Sequence, residues 1–405
     1  MTIELDEATA RWLVTDVGLD AVTRITATLD DGADELTATT AARKRIDDPR
    51  RAAAATTAAV ARRRARQRWD EADQLLFTRH GLEQASDPSV AAHRARRLAA
   101  GGVVDLTAGL GGDAIALARA GAEVIAVERD PARAVLLAHN LYVSRVTARV
   151  VVADALHVRV PPGDHALADP ARRPTGRATH HLDAHEPPVS TLLERHAERS
   201  AGLALELAPG VDRDDPAFGG RDVEVEYVQL GDQLLEATVW LGHLRDGASE
   251  TSATLLPQGH HRARTARAPQ LPVGAPGGFL VEVVPAAVRA RLHDELGREV
   301  GAWRLAAHRA LLTTATPPPP SPWYRTRAIE TTLPGRAAAV RRWLRDHDDR
   351  EVEVVLHGVD GDPTRWWREL GRPSRGPQGR RVELIRRDHD TIAVITDARP
   401  HDARP

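Results

Sequence analysis

A glycine-rich loop between two short apolar runs constrains the fold of this chain more than any other feature. The segment reads VVDLTAGLGGDAIALARAGAEVIAVERDPARAVLLAH over residues 103–139. One apolar run ends on Asp105, a helical stretch covers about 114–120, and a second apolar run ends on Glu128. This order of strand, tight loop, helix and strand predicts the unit that binds adenosine-containing cofactors. The glycines of the loop are Gly109, Gly111 and Gly112.

The spacing around these glycines leaves two classes of cofactor open. Gly109-x-Gly111-x-x-Ala114 satisfies the dinucleotide-binding pattern, which is typical of nucleotide-dependent oxidoreductases. Dinucleotide sites usually pass from the strand to the first glycine within a residue or two, whereas an acid and three further residues intervene here. A longer loop with Asp105 at its base suits S-adenosylmethionine, because its ammonium group needs a negative neighbour and it has no pyrophosphate. The sequence therefore favours S-adenosylmethionine as the cofactor.

Further acids follow predicted strands in the same part of the chain. Residues 148–153 (ARVVVA) predict a third strand that leads to Asp154, HALADP predicts a fourth that leads to Asp169, and GLALEL predicts a fifth. VEVEYVQL and LLEATVWL, on either side of a Gly-Asp-Gln turn, predict a β-hairpin. Five strand and helix units closed by a hairpin are typical of the class I methyltransferase domain, a Rossmann-like α/β fold with a seven-stranded sheet.

Several motifs carry a family resemblance. DLTAGLGGD, VERDP, AHN and ADPARR, together with LFTRHGLEQAS upstream, resemble the bacterial class I S-adenosylmethionine-dependent methyltransferases that carry a C-terminal THUMP-like domain. The resemblance covers most of the chain and is strongest from Leu76 to Arg173. It implies an enzyme that methylates RNA, on a base of ribosomal or transfer RNA. A methyltransferase fold that binds RNA or a protein without catalysis, and the oxidoreductase, are the alternatives.

The predicted cofactor site follows from the chemistry of S-adenosylmethionine. Asp105 is expected near its amino group, Glu128 at the two ribose hydroxyls and Asp154 at the adenine amino group. The glycines allow the backbone to pass close to the ligand, because a Cβ atom there would collide with it. The predicted cofactor-binding residues are Asp105, Thr107, Gly109, Gly111, Gly112, Asp113, Glu128, Arg129 and Asp154.

The residues after the fourth strand are the predicted catalytic group, namely Asp169, Pro170 and Arg172. In amino-methylating relatives this position holds an acid or asparagine, two prolines and an aromatic residue, which hold the target amine and stack on its base. No aromatic residue follows Pro170 here, so the usual adenine-type reaction is not predicted. Arg172 is expected to contact phosphate or to stack through its guanidinium group.

Composition excludes several other classes. The chain has no cysteine, so neither a disulfide framework nor a thiolate metal site is expected. His180, His181, His185 and Glu186 have no standard zinc spacing, so no metal is expected. The acidic start and the lack of a long apolar run predict neither a signal peptide nor a membrane span, and hence a cytoplasmic protein.

An uneven distribution of charge predicts where RNA binds. The net charge is -2, yet the stretch from Arg43 to Arg68 holds ten basic residues and two acids. Its alanine content predicts a helix. A basic helix face neutralises phosphates, although a solvated face without a ligand is the alternative. The arginines expected to follow an RNA backbone are Arg62, Arg63, Arg64 and Arg66.

Four segments are predicted along the chain. The first has Trp12, Leu13 and Val17 as core positions, the third contains an amphipathic helix near 285–297 and a stiff TPPPPSP linker, and the fourth alternates helices and strands. In the fourth, Arg365-Trp366-Trp367-Arg368 is a candidate for stacking on RNA. The segments are a helical domain (1–83), the methyltransferase domain (84–262), a connecting segment with the linker (263–322) and a small α+β THUMP-like domain (323–397).

Overall fold

Two compact units make up the chain. The computed structural model describes residues 5–172, 182–264, 268–347, 352–371, 379–388 and 390–397. Unit 1 comprises Met1–Val228 and Leu235–Ala248, and unit 2 comprises Gln229–Leu234 and Ser249–Pro405. The domain limits drawn from the sequence stay predictions. Among the described residues, no helix is both long enough and apolar enough to cross a membrane.

Six helices open unit 1, and local sequence explains where each one starts. Every N-cap residue is aspartate or threonine, and its side chain accepts a hydrogen bond from a backbone amide of the first turn. In the fourth and sixth helices a proline follows the aspartate. The N–H group at this first position of a helix has no partner within the helix, so a proline there costs no hydrogen bond. The helices are α1 Glu7–Leu13, α2 Asp16–Asp30, α3 Glu35–Arg43, α4 Pro49–Ala65, α5 Arg79–Gln84 and α6 Pro88–Leu98.

Alanines of α4 allow α1, α2 and α3 to pack closely against it. Leu13 is buried as expected, whereas the expectation that Val17 lies in the core is wrong, since 67% of its surface is exposed. The buried residues of α2 include Gly18, Val22 and Leu29, which share one helix face. Val17 precedes this stripe by one position and therefore points to solvent.

A seven-stranded arrangement forms the centre of unit 1. Five strands are parallel, and a β-hairpin closes the sheet on one side. The strands are β1 Gly102–Asp105, β2 Glu123–Glu128, β3 Ala148–Val152, β4 His165–Ala168, β7 Gly202–Leu207, β8 Glu224–Leu230 and β9 Gln233–Gly242, and two short strands, β5 Ala171–Arg172 and β6 His185–Glu186, pair with each other outside this sheet. These seven strands are neighbours within a sheet of nine, in the order β8-β9-β7-β4-β1-β2-β3, which is the predicted class I topology.

Among the described residues, three helices connect these strands: α7 Gly112–Arg119, α8 Pro131–Val143 and α9 Val189–His196. Helix α8 begins with the Asp130 N-cap followed by proline, as α4 and α6 do. Because all five parallel strands run the same way, the loops after their carboxyl ends meet at one edge of the sheet. The acids predicted as site residues follow β1, β2, β3 and β4 at that edge.

The buried Asn140 of α8 joins two segments of unit 1. Its side-chain amide donates to the carbonyl oxygens of Leu76 and Leu110, at 3.0 and 2.9 Å. Its Oδ1 accepts from the amide of Leu76 at 2.8 Å. Asn140 therefore holds the chain before α5 against the glycine-rich loop before α7.

Unit 2 contains a second sheet of seven strands, in the order β13-β14-β12-β15-β18-β17-β16, and a hairpin of β10 and β11. Its strands are β10 Thr251–Leu256, β11 His260–Arg264, β12 Phe279–Val283, β13 Trp303–Arg304, β14 Leu311–Thr314, β15 Tyr324–Pro334, β16 Val352–His357, β17 Arg380–Arg386 and β18 Thr391–Asp397. Its helices are α10 Pro285–Arg289, α11 His293–Glu299, α12 Ala337–Asp346 and α13 Pro363–Glu369.

One strand connects the two halves of that sheet. The first five residues of β15 pair with β12, and its last residues pair with β18 after a register shift near Ile329. Strands from both sides of the proline-rich TPPPPSP segment therefore share hydrogen bonds. The resemblance of the last segment to a THUMP-like domain stays a prediction.

The helix expected near 285–297 is in fact two short helices, α10 and α11. Arg291 lies between them with a φ of 59°, a left-handed conformation that ends the first helix. In the last segment, Trp366 packs against the core around Val340 and Leu344, and Arg365 pairs with Glu369. These contacts give Trp366 a structural role.

Replacement of Asn140 by alanine is expected to destabilise the protein by about 2 to 4 kcal/mol, because it leaves three buried backbone groups without a partner. The free energy of unfolding, measured by urea denaturation, checks this value. Gln67→Ala, at an exposed position in unit 1, is the matched control. An equal effect of the two substitutions would show that the Asn140 hydrogen bonds contribute nothing to stability.

Candidate functional site

A cavity of about 260 Å³ opens in unit 1 at the carboxyl ends of the parallel strands. One wall is the glycine-rich loop between β1 and α7, and the opposite wall includes Glu186 and two prolines that follow it. Residues from the chain around α5, among them Trp69, Phe77 and Ser86, cover a third side. Eight of the nine predicted cofactor residues line this cavity, namely Asp105, Thr107, Gly109, Gly112, Asp113, Glu128, Arg129 and Asp154.

The glycines of the loop serve different purposes. Gly111 has a φ of 99°, and a Cβ atom there would lie 2.8 Å from Cδ1 of Leu137. It therefore packs the loop onto α8 and caps α7, without lining the cavity itself. Gly109 has a φ of 55° and, besides the Thr107 carbonyl oxygen at 3.9 Å, no atom within 4 Å of an added Cβ. Space beside Gly109 is thus open for a ligand.

Asp105 carries the acceptor that a cationic ligand needs. Its carboxyl group is buried, and Oδ1 accepts a hydrogen bond from the Thr107 amide at 3.3 Å. Oδ2 has no hydrogen-bond partner among the described residues. Burial raises the pKa of Asp105 well above its ordinary value, and nearby Asp113 raises it further. An ammonium group would supply both the missing hydrogen bond and a compensating charge, so this position fits the amino group of S-adenosylmethionine.

Glu128, at the end of β2, is held in one orientation. Its Oε1 accepts from the Asp130 amide at 2.8 Å and lies 3.0 Å from Nη2 of Arg133. Burial raises the pKa of Glu128, while the Asp130 amide and Arg133 oppose this rise. An oriented carboxylate on the cavity wall fits a pair of ribose hydroxyls.

Two predicted residues lie at the more exposed end of the cavity. Asp154 accepts from the Leu156 amide at 2.8 Å, and about half of its side chain is exposed. Arg129 pairs with Glu186 at 2.5 Å, which joins the loop after β2 to the opposite wall. Asp154 thus presents a partly exposed carboxylate at the cavity, whereas Arg129 is held in an ion pair across it.

Thr107 holds the backbone of Asp169, a predicted catalytic residue, in place. Its Oγ1 accepts a hydrogen bond from the Asp169 amide at 2.6 Å. Asp169 lines the cavity, and Pro170 behind it is buried. Burial raises the pKa of Asp169 well above its ordinary value, and the charges of Glu206 and Asp113 add to the rise. The loop after β1 therefore sets the position of the residue that ends β4.

Arg172, the third predicted catalytic residue, lies in the short strand β5. The backbone of Arg172 pairs with that of His185 in the small β5–β6 sheet. Arg173, His180 and His181 lie outside the described residues. His185 is buried, and its Nδ1 lies 2.9 Å from the Leu182 carbonyl oxygen.

A buried arginine at this edge of the sheet was missed in the sequence. Arg94 of α6 is 1% exposed and bonds to Asp113 at 2.7 Å, Glu206 at 2.5 Å and Glu236 at 2.8 Å. We call these four residues the Arg94 cluster. The spacing of apolar residues did indicate that Arg94 is buried. Arg94 falls within the buried stripe of α6 that is formed by Val90, Ala91, Ala95 and Leu98.

The basic segment differs from its predicted role. Arg62 is 3% exposed and donates to the Leu75 carbonyl oxygen, so the expectation that it follows an RNA backbone is wrong. Arg63 and Arg66 both pair with Asp30 at 2.8 Å. These ion pairs connect the end of α4 to α2. They could not be predicted from the sequence, because the acidic partner lies on another helix. Arg64 is exposed, as are Arg43, Lys44 and Arg45.

In unit 2, Glu282, His357 and Glu383 lie close enough to share a metal ion. Arg327 and Arg381 pair with Glu282, and Arg381 lies 2.8 Å from Glu383. His357 lies 2.7 Å from the other oxygen of Glu383. Two guanidinium groups already balance the two carboxylates, so the arrangement is an ion-paired network.

The strand order and the site at the carboxyl edge define a class I methyltransferase fold, and comparison with known proteins agrees. A family model described as "Putative SAM-dependent methyltransferase" matches residues 75–161. An uncharacterized S-adenosylmethionine-dependent methyltransferase of Mycobacterium tuberculosis, present in strains CDC 1551 and H37Rv, is 30% identical over 323 residues, 80% of this chain and 88% of the relative. The crystal structure of a "putative methyltransferase" from Porphyromonas gingivalis W83 has a TM-score of 0.73 at 18% identity, covering 94% of this chain and 98% of that one.

The chain belongs to the S-adenosylmethionine-dependent methyltransferase family. It is a methyltransferase whose cofactor is S-adenosylmethionine, and the prediction of enzyme class and cofactor is confirmed. The nucleotide-dependent oxidoreductase is thereby rejected.

Replacement of Glu128 by alanine is expected to weaken S-adenosylmethionine binding by about ten- to a hundredfold, because a charged hydrogen bond to the ribose is lost. Isothermal titration calorimetry measures the dissociation constant directly. Glu123→Ala is the control, since Glu123 is exposed at the opposite end of the same strand. Unchanged affinity in Glu128→Ala would remove this residue from the cofactor site.

Proposed function

We propose that the cavity of unit 1 binds S-adenosylmethionine and that the enzyme methylates an amino group on a base of RNA, with Asp169 at the point of transfer. One observation carries the cofactor placement: Asp105 lines the cavity, and its buried Oδ2 has no hydrogen-bond partner among the residues described. A second, the Thr107 hydrogen bond that holds Asp169 on the same cavity wall, supports the catalytic assignment.

When bound, the cofactor supplies an activated methyl group on a sulfonium. The protein then has to align the acceptor and exclude water from it. Asp105 holds the amino-acid end, Glu128 the ribose and Asp154 the adenine in this proposal. Asp169 orients the acceptor amine and accepts a hydrogen bond from it, while buried Pro170 restricts the backbone beside it.

RNA as the substrate is supported by the exposed cations of unit 1. Arg43, Lys44 and Arg45 lie together at the end of α3, and Arg64 is exposed near the end of α4. Such groups neutralise phosphates without reading sequence. The arginines of α4 that form internal ion pairs are left out of this surface. A THUMP-like role for the last segment and a cytoplasmic location belong to the same proposal.

Substitution of Asp169 tests the catalytic part. Asp169→Ala is expected to lower methyl transfer by about a hundredfold, because an interaction made as the reaction proceeds is lost, whereas cofactor affinity changes far less. Transfer of labelled methyl groups to bulk RNA from a strain lacking the protein measures the rate, and calorimetry measures binding.

Arg172→Ala provides the comparison, since it is expected to weaken RNA binding more than the rate at saturation. Full labelling by Asp169→Ala would exclude this residue from the mechanism. Absence of labelling on any RNA by the wild type would instead point to a protein or small-molecule acceptor.

Exchange of four exposed cations tests the RNA surface. With Arg43, Lys44, Arg45 and Arg64 changed to glutamine, RNA affinity is expected to fall by about tenfold or more at low salt, with a flatter dependence on salt concentration. Fluorescence anisotropy with labelled RNA over a series of salt concentrations gives both values.

The control removes the same charge elsewhere in unit 1, by changing exposed Arg149, Arg159, Arg195 and Arg199 to glutamine. Cofactor affinity should stay unchanged in both variants. If the two variants lose RNA affinity and salt dependence equally, the proposed surface has no special part in binding.

A further inference from the structure

The Arg94 cluster borders the cavity but has no part in the mechanism above. Ala168 of β4 pairs with Leu205 of β7 in the parallel register, so Asp169 and Glu206 are the next residues on neighbouring strands. Asp113, another member of the cluster, lines the cavity in the first turn of α7. Any charge in the cluster therefore acts on a ligand bound beside Asp169.

Negative groups outnumber positive ones here. The guanidinium of Arg94 faces Asp113, Glu206 and Glu236, and Asp105 and Asp169 lie close to it. The nearby basic groups of α6 do not offset this excess, because each has its own acidic partner on β8. Arg97 pairs with Glu224, and His93 contacts Glu226. Burial raises the pKa of Glu206 well above its ordinary value and also raises that of Glu236. An uncompensated buried charge is costly, so Glu206 and Glu236 stay protonated to a higher pH than an exposed glutamate does.

Ser86 gives independent geometric support for a bound proton. Its Oγ lies 3.1 Å from Oδ2 of Asp113 and 3.0 Å from Oε2 of Glu206. A hydroxyl group has one proton and donates to one acceptor at a time. If both contacts are hydrogen bonds, the Ser86 hydroxyl donates to only one of the two carboxyl groups. The other carboxyl group must then carry a proton and donate it to Ser86 Oγ. The cluster thus contains more carboxyl groups than cations, and Asp113, one of its acids, lines the cavity with Asp105 and Asp169.

We propose that the Arg94 cluster makes the site prefer the positively charged cofactor to S-adenosylhomocysteine, the product left after transfer. This inference rests on the cofactor site proposed above. The two ligands carry the same amino acid and adenosine, and the product lacks the sulfonium charge. An excess of carboxyl groups stabilises the sulfonium, so the product leaves more easily than the cofactor and inhibits weakly.

Calorimetry with the two ligands tests the proposal without any methyl acceptor. The wild type is expected to bind S-adenosylmethionine about tenfold more tightly than S-adenosylhomocysteine. Glu206→Gln should lower this preference by about five- to tenfold, chiefly by weakening the cofactor. Glu123→Gln makes the same change of charge at the amino end of β2 and should leave the preference unaltered. Sinefungin, with an ammonium group in place of the sulfonium, should behave like the cofactor.

A second measurement uses only the wild type. Carboxyl groups with raised pKa values are neutral at low pH and become charged as the pH rises through those values. The preference for the cofactor should therefore increase as the pH rises above the ordinary pKa range of carboxyl groups. Titrations in buffers of different ionisation enthalpy should show more protons released by the cofactor than by the product.

Equal affinity for the two ligands at every pH, with equal proton release, would overturn the proposal. The proposal would also be overturned if Glu206→Gln lowered the affinities for both ligands by the same factor. If instead the proposed cofactor site itself is wrong, Glu128→Ala would leave the affinities for both ligands unchanged. If the site is correct, Glu128→Ala weakens both ligands equally, since both carry the ribose.

Discussion

Parallel register is the constraint on which the site depends. Strands β1, β2, β4 and β7 run in the same direction and end together, so the residues that follow them meet at one edge. Asp105 and Glu128 end their strands, Asp169 directly follows β4, and Glu206 is the last residue but one of β7. Four acids in one place would repel one another without compensation. Arg94 supplies part of that compensation through its ion pairs with Asp113 and Glu206, and a cationic ligand would add to it.

The chain before the sheet completes the site. Arg94 and Ser86 both precede β1, as do Trp69 and Phe77 on the cavity wall. Asn140 and Arg62 hold this stretch in place through the backbone of Leu75, Leu76 and Leu110. The helical part of unit 1 is therefore part of the cofactor cavity, and the cavity would be incomplete in a protein that began at β1.

Local patterns predicted much of this fold from the sequence. Apolar runs that end on Asp105 and Glu128, glycine spacing and aspartate–proline pairs at helix starts are short-range signals, and they gave the strands, the loop and the class I order. Residues whose role depends on distant partners were not predictable in this way. Arg62 and Arg66 have the same local context in an alanine-rich helix, yet one is buried and the other pairs with Asp30 and Asp73.

The shared strand β15 makes the second sheet a single cooperative structure. It pairs with β12 through its first residues and with β18 through its last. A chain cut at the proline-rich segment would keep β12 and β14 but lose the strand between β12 and β18, leaving the backbone N–H and C=O groups along one side of β12 unpaired. Such an open edge is a template for pairing with another molecule. The proline-rich segment thus resembles a linker in sequence, yet the chain cannot be divided there without exposing a surface prone to self-association.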